Sequence, residues 1–232
     1  VPGDRRRARR SELVAFIEEQ YRGLDAVAEN RSVLFAGPAG SGKTFLAMEA
    51  ARREAAMGRR GRLLCFNNFL GKRLSADMSN VDHLTVGTFH QELLHLAGLP
   101  KAPQGADRSF WERELPERAL EALVEDEKLT YDFLVVDEIQ DIATEPYLDV
   151  LDMMVVGGLK DGRVLFFGDF ERQAVYENEQ GRDRLRARAP HMMSHRLFVN
   201  CRNLPRIGFQ TNLLSKLAPG YQRDQFRRLD DG

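Results

Sequence analysis

The 232 residues predict a three-layer α/β fold, a mostly parallel central sheet with helices on both faces. Three observations carry this expectation. Short apolar runs near 33–37, 62–66, 84–88, 131–136, 164–168 and 195–199 alternate with helical segments, the rhythm of parallel strands joined by crossover helices. The runs are too uniformly apolar to have a wet face, and Phe133-Leu-Val-Val136 is the clearest case of a strand covered on both sides. The first run, Val33-Leu-Phe-Ala-Gly37, passes through a glycine-rich loop into an Ala-rich helix from Thr44 to Met57 that closes at Gly58. With 43% hydrophobic residues the chain can bury such a core as one domain.

The loop itself reads Gly37-Pro38-Ala39-Gly40-Ser41-Gly42-Lys43-Thr44. Gly37, Gly40 and Gly42 let the backbone turn its N–H groups around a β-phosphate, and the positive end of the helix dipole adds to them. Lys43 supplies a point charge to the β- and γ-phosphates, and the Thr44 hydroxyl is a ligand for Mg2+. Asp137, at the end of the Phe133–Val136 run, is placed to hold the same metal. Glu138 follows it and is the candidate to orient or deprotonate an attacking water. These residue types in this order point to binding and hydrolysis of a nucleoside triphosphate with magnesium.

The string Asp137-Glu-Ile-Gln140-Asp141 goes beyond a generic metal-binding strand end. It resembles motif II of superfamily 1 helicases of the UvrD/Rep type. Val164-Leu-Phe-Phe-Gly-Asp169, followed by Gln173, resembles motif III, with three residues between Asp169 and Gln173 where the family has two. Leu197-Phe-Val-Asn200-Cys-Arg202-Asn203 resembles motif IV. Val86-Gly-Thr88-Phe89-His90 resembles motif Ib, and Leu63-Leu-Cys-Phe-Asn67-Asn68 resembles motif Ia. The resemblance covers about residues 18 to 217, and Phe110-Trp-Glu-Arg-Glu-Leu-Pro116 is similar to the branch that accompanies a nuclease-related domain.

That resemblance implies the first RecA-like lobe of a P-loop motor, with ATP as its nucleotide. It implies that Gln173 senses the γ-phosphate, that Arg202 stabilises charge developing on it, and that Gln20 reads the adenine. It further implies contact with single-stranded DNA through Asn67, Asn68, Thr88, Phe89 and His90, with an exposed aromatic suited to base stacking. Local readings stand beside these. Thr88 with Gln91 forms a capping box for the helix Phe89 to Ala97, and Asn67 and Asn68 are turn residues.

The expected organisation is a basic tail or linker over 1–10, an ATPase lobe over 11–217 and a charged tail over 218–232. Within the lobe, residues 99–130 form a small helical insertion in place of an accessory subdomain. In it Ser109 and Glu112 make a capping box, and Pro116 restarts a second short helix. Nothing after the motif IV segment resembles a second RecA-like lobe. The expected partners are therefore that lobe, or an upstream nuclease-related domain, in a longer protein. The reading is the ATP-binding and ATP-hydrolysing lobe of a DNA helicase or translocase; the alternative is a nucleotide-binding module or switch with little hydrolysis.

Net charge is −1, with 34 basic and 35 acidic residues, so a nucleic-acid footprint has to be a local patch. Arg5-Arg-Arg-Ala-Arg-Arg10 serves equally as a phosphate contact or as part of a linker. Two cysteines without framework spacing suggest a reducing cytoplasm, and no long apolar run suggests a membrane. The five histidines show no metal spacing, and the Met153-Met154 and Met192-Met193 pairs read as core filler.

Overall fold

The computed structural model describes residues 21–170 and 177–197, with side chains from 180 onward in the last helix. Six strands form one sheet: β1 (Ser32–Ala36), β2 (Gly61–Cys65), β3 (Leu84–Thr88), β4 (Phe133–Asp137), β5 (Arg163–Gly168) and β6 (Met193–Arg196). Their order is β3-β2-β4-β5-β1-β6, and every pairing is parallel. The crossovers are α1 (Lys43–Ala56), α2 (Asn68–Asp77), α3 (Phe89–Leu96), α4 (Leu115–Glu125), α5 (Glu145–Met154), the short α6 (Gly158–Asp161) and α7 (Glu177–Arg188). This is a RecA-like P-loop fold.

The apolar runs become strands because the sheet has two buried faces. Val33, Phe35, Leu63, Phe133, Val135, Leu165 and Phe167 point into a core built on Leu46, Ala47, Ala50 and Ala51 of α1. Their neighbours Leu34, Leu64, Leu134, Val136, Val164 and Phe166 point the other way, into a core shared with α3, α4, α5 and α7. Period-2 alternation is present in the chain, but both phases are apolar.

The small residues on α1 let it lie close against the strands. Gly61, at the start of β2, does the same for an aromatic neighbour: it is in register with Phe133, whose ring lies over the space its Cβ would fill.

The insertion departs from the sequence expectation in two ways. Ser109 already has helical backbone angles (φ −62, ψ −40) and makes no capping bond, so the box with Glu112 does not form. The Asp107 carboxylate accepts from the Phe110 N–H at 3.0 Å instead, and Ser109 Oγ takes the Arg113 guanidinium at 3.2 Å. Nor does Pro116 restart a helix. It lies within one helical run over 108–125, whose residues Phe110–Glu114 adopt a π-turn, with the Leu115 N–H donating to Phe110 O. A wider turn is a local solution where proline supplies no N–H.

Smaller differences have plain causes. The sixth strand begins two residues ahead of the expected start and is an edge strand, which leaves Met193 42% exposed; Met153 is 37% exposed on the outer side of α5, while Met154 is buried. Two buried ion pairs tie helices to strands on the far side of the sheet from the strand ends: Glu54 of α1 with Arg163 at 2.6 Å, and Glu92 of α3 with Arg62 at 2.9 Å.

Replacing Gly61 by alanine forces the new methyl against the Phe133 ring. The expected result is a loss of about 1–3 kcal/mol in urea unfolding with an unchanged slope, the range for overpacking a dense core. An unchanged midpoint would show that β2 and β4 do not pack as described.

Candidate functional site

Because all strands run one way, their C-terminal ends share one edge, where sheets of this kind bind ligands. The loop Gly37–Gly42 connects β1 to α1 there. Its course depends on glycine at two positive-φ positions, Gly40 (φ 89) and Gly42 (φ 86), and on a close approach at Gly37. A Cβ on Gly37 would lie 2.7 Å from Ser41 Oγ and 2.8 Å from Leu197 Cβ. The Gly37 N–H donates to Gly168 O at 3.1 Å, which pins the loop to β5, and the Ser41 N–H donates to Pro38 O at 3.1 Å.

The Lys43 ammonium is buried, donating to Gly37 O at 2.9 Å and Pro38 O at 3.3 Å, so it lies across the loop. No side chain caps α1, whose first N–H groups have no partners within the helix. Ser41 Oγ is fully buried without a hydrogen-bond partner among the described residues. Orphan amides, an enclosed cation and an unsatisfied hydroxyl at one helix start match a polyanion such as a phosphate chain.

The loop meets β4 through one contact. Thr44 Oγ1 donates to Asp137 Oδ2 at 2.6 Å. Asp137 has no exposed surface, and burial pushes its carboxyl up to about 6; the Thr44 hydrogen bond and the Lys43 charge oppose that rise, and the neighbouring Glu138 adds to it. A hydroxyl and a carboxylate side by side are hard oxygen donors of the kind Mg2+ takes, and a divalent charge would relieve the buried anion.

Glu138 sits in the left-handed region (φ 55, ψ 48), where a residue with a side chain is strained. Its carboxylate accepts from Gln140 Nε2 at 2.8 Å, and Gln140 Oε1 accepts from the Asp169 N–H at 3.0 Å. One amide thus ties the end of β4 to the end of β5. Gln140 was visible in the sequence only as an extra residue of the motif; its hydrogen bonds place it in the site. Ala39, Gly40, Thr44 and Glu138 line a cleft of about 330 Å3 together with Phe45 and Met48 of α1 and Leu74 of α2.

The second group lies on the far half of the sheet, at the ends of β2 and β3, with β4 and β5 between it and β1. Asn67 Oδ1 accepts from the Phe69 and Leu70 N–H groups at 2.9 and 3.2 Å as the cap of α2, and Asn68 beside it is exposed. Thr88 is 2% exposed and completes the capping box with Gln91. Phe89 corrects the expectation of an exposed aromatic in this segment: its ring has no accessible surface, because the first turn of α3 points it into the core. Among the described residues the exposed aromatics are Phe66 at 39% and Phe69 at 87%, on either side of the asparagines. His90 is half-buried, with burial lowering its pKa. Gln20, Gln173 and Arg202 lie outside the described residues.

Asp137 gives the site a pH signature of known sign. The folded state keeps a proton that the unfolded chain releases, so ionising Asp137 destabilises the fold progressively between about pH 4 and pH 6, and by a constant amount above. Asp137→Asn removes that penalty. In a metal chelator the variant is expected to be more stable than the parent at pH 8 by about 1–3 kcal/mol. The advantage should shrink towards pH 4, as read by urea unfolding. A variant less stable than the parent at pH 8 would contradict the assigned burial.

No match is found among curated proteins. Among solved structures, the SWI2/SNF2 ATPase core of Sulfolobus solfataricus in complex with double-stranded DNA is 12% identical, with a TM-score of 0.39. That likeness covers 78% of this chain, which spans 44% of the other's length. No helix among the described residues is long and apolar enough to cross a membrane. The family described as AAA domain matches residues 20–179, well over half of the sequence and all of the loop-to-β5 machinery. The chain belongs to this AAA domain family, a P-loop family of the helicase type.

Proposed function

We propose that this chain is the ATP-binding and ATP-hydrolysing lobe of a UvrD/Rep-like superfamily 1 DNA helicase or translocase. The observation that carries it is the junction of Thr44, Asp137 and Glu138, where a phosphate-type loop, a buried acid and a strained acid converge at one strand edge. Lys43 and the amides of Gly40 to Thr44 bind the phosphates, and their positive field matches the charge of the chain. Thr44 and Asp137 would hold Mg2+, which when bound neutralises phosphate charge. Glu138 orients the attacking water and takes its proton, and Gln140 holds that carboxylate in place.

On this reading Gln20 serves the base, and Gln173 and Arg202 serve the γ-phosphate. Single-stranded DNA crosses the ends of β2 and β3, meeting Asn67, Asn68 and His90 along with the exposed Phe66 and Phe69, while Thr88 and Phe89 support it from beneath. On this reading the lobe works with a second RecA-like lobe or a nuclease-related domain as its partner. We place the protein in the cytoplasm, in keeping with the free thiol of Cys65, whose pKa burial pushes up to about 12.

The test is ATP turnover of the longest native form, with and without single-stranded DNA. Lys43→Ala and Glu138→Gln are each expected to lower turnover by about a hundredfold or more, with nucleotide binding kept in the second. Unchanged turnover in both would remove the assignment, and binding without DNA-stimulated hydrolysis in the parent would favour a nucleotide-dependent switch. Gln140→Leu frees the Glu138 carboxylate without touching the phosphates, so kcat should fall about ten- to a hundredfold with KM for ATP unchanged. A change confined to KM would show that Gln140 does not act through Glu138.

A further inference from the structure

The helical insertion reaches the β2–β3 end of the sheet through a short hydrogen-bond chain. At the end of the π-turn the Leu115 N–H reaches back five residues, to Phe110 O. The next N–H in that register would serve Trp111 O, but residue 116 is proline and has none. Trp111 O is instead taken by the Tyr147 hydroxyl from α5, at 3.1 Å. The same hydroxyl oxygen lies 3.2 Å from His90 Nε2.

A phenol has one proton. A carbonyl can only accept, so the Tyr147 proton goes to Trp111 O, and its oxygen is left to accept from His90. That requires the hydrogen of His90 on Nε2. The ring is walled by Trp111 and Phe66, each with centroids at 5.1 Å, and by Tyr147 at 5.9 Å. Burial lowers its pKa, which disfavours the doubly protonated ring. Nδ1 then carries a lone pair and has no hydrogen-bond partner among the described residues.

We propose that Trp111 and Tyr147 are positioning residues that hold His90 as the Nε2–H tautomer, so that Nδ1 accepts a hydrogen bond from a donor on a nucleic-acid base rather than contacting phosphate. This rests on the nucleic-acid reading of the β2–β3 end. Phosphate offers only acceptors, so a neutral Nδ1 cannot bind it, whereas the imino and amino groups of unpaired bases are donors.

The experiment is 15N NMR of histidine-labelled protein at pH 7.5, with the His90 signals identified by their loss in His90→Asn. Free protein should show the Nε2–H tautomer, and Tyr147→Phe, which keeps the ring and its packing, should show a mixture. A single-stranded oligodeoxythymidylate should shift Nδ1 in the direction of an accepted hydrogen bond, and an abasic strand of equal length should not. Tyr147→Phe should weaken binding of the oligodeoxythymidylate in proportion to the Nε2–H fraction it loses, as the same spectra report it, and leave the abasic strand unaffected. An Nδ1–H or doubly protonated ring in free protein would overturn the proposal, and so would equal weakening of both strands, which is what a structural role alone produces. If neither strand binds the parent protein, the nucleic-acid reading fails and this inference with it.

Discussion

Thr44 and Asp137 are 93 residues apart in sequence and 2.6 Å apart in the fold, and the site depends on that contact. It closes only because β1 and β4 run parallel on either side of β5, in a register that brings Gly168 level with Ala36 and Phe167 level with Asp137. Burying the carboxylate is unfavourable, as its raised pKa records, and the hydroxyl and the Lys43 ammonium offset only part of that. The fold therefore holds a buried, only partly compensated carboxylate next to a helix start and a loop with spare N–H donors. A bound cation with a phosphate chain resolves both imbalances at once, which is the physical reason to read this edge as a nucleotide site.

The same edge carries two functional halves connected by different means. On the nucleotide half, Gln140 spans β4 and β5 with a single side-chain amide, so the Glu138 carboxylate and the residue that follows β5 cannot move independently without breaking a hydrogen bond. On the other half, Asn67 and Thr88 spend their polar atoms capping α2 and α3, leaving Phe66, Phe69 and Asn68 exposed beside the half-buried His90. One cleft is lined both by Thr44 and Glu138 and by Leu70, Arg73 and Leu74 of α2, the helix that Asn67 caps. A shift of α2 is thus mechanically close to both halves.

Much of this was legible in the residues, for reasons that differ between elements. The strands were readable because both of their faces are buried, and the loop was readable because Gly40 and Gly42 need backbone angles that other residues avoid. Asp137 and Glu138 were readable from their place at the end of a strand. Phe89 was misjudged because a motif places a residue in sequence, whereas the direction of its side chain follows from the first turn of α3. The cap of the insertion was misjudged because Asp107 competes with Ser109, and local patterns do not rank two acceptors two residues apart. The bonds from Gln140 to Asp169 and from Tyr147 to His90 could not be read from the sequence, since each joins segments whose proximity the topology alone creates.

The central claim is that the buried Thr44–Asp137 junction is a magnesium-nucleotide site, and calorimetric ATP affinity with and without Mg2+ tests it most directly when the parent and Asp137→Asn are compared. The account predicts that magnesium tightens ATP binding about tenfold or more in the parent, at least ~1.4 kcal/mol, and that the variant loses most of this gain while retaining its metal-free affinity. Equal magnesium dependence in the two proteins would contradict it.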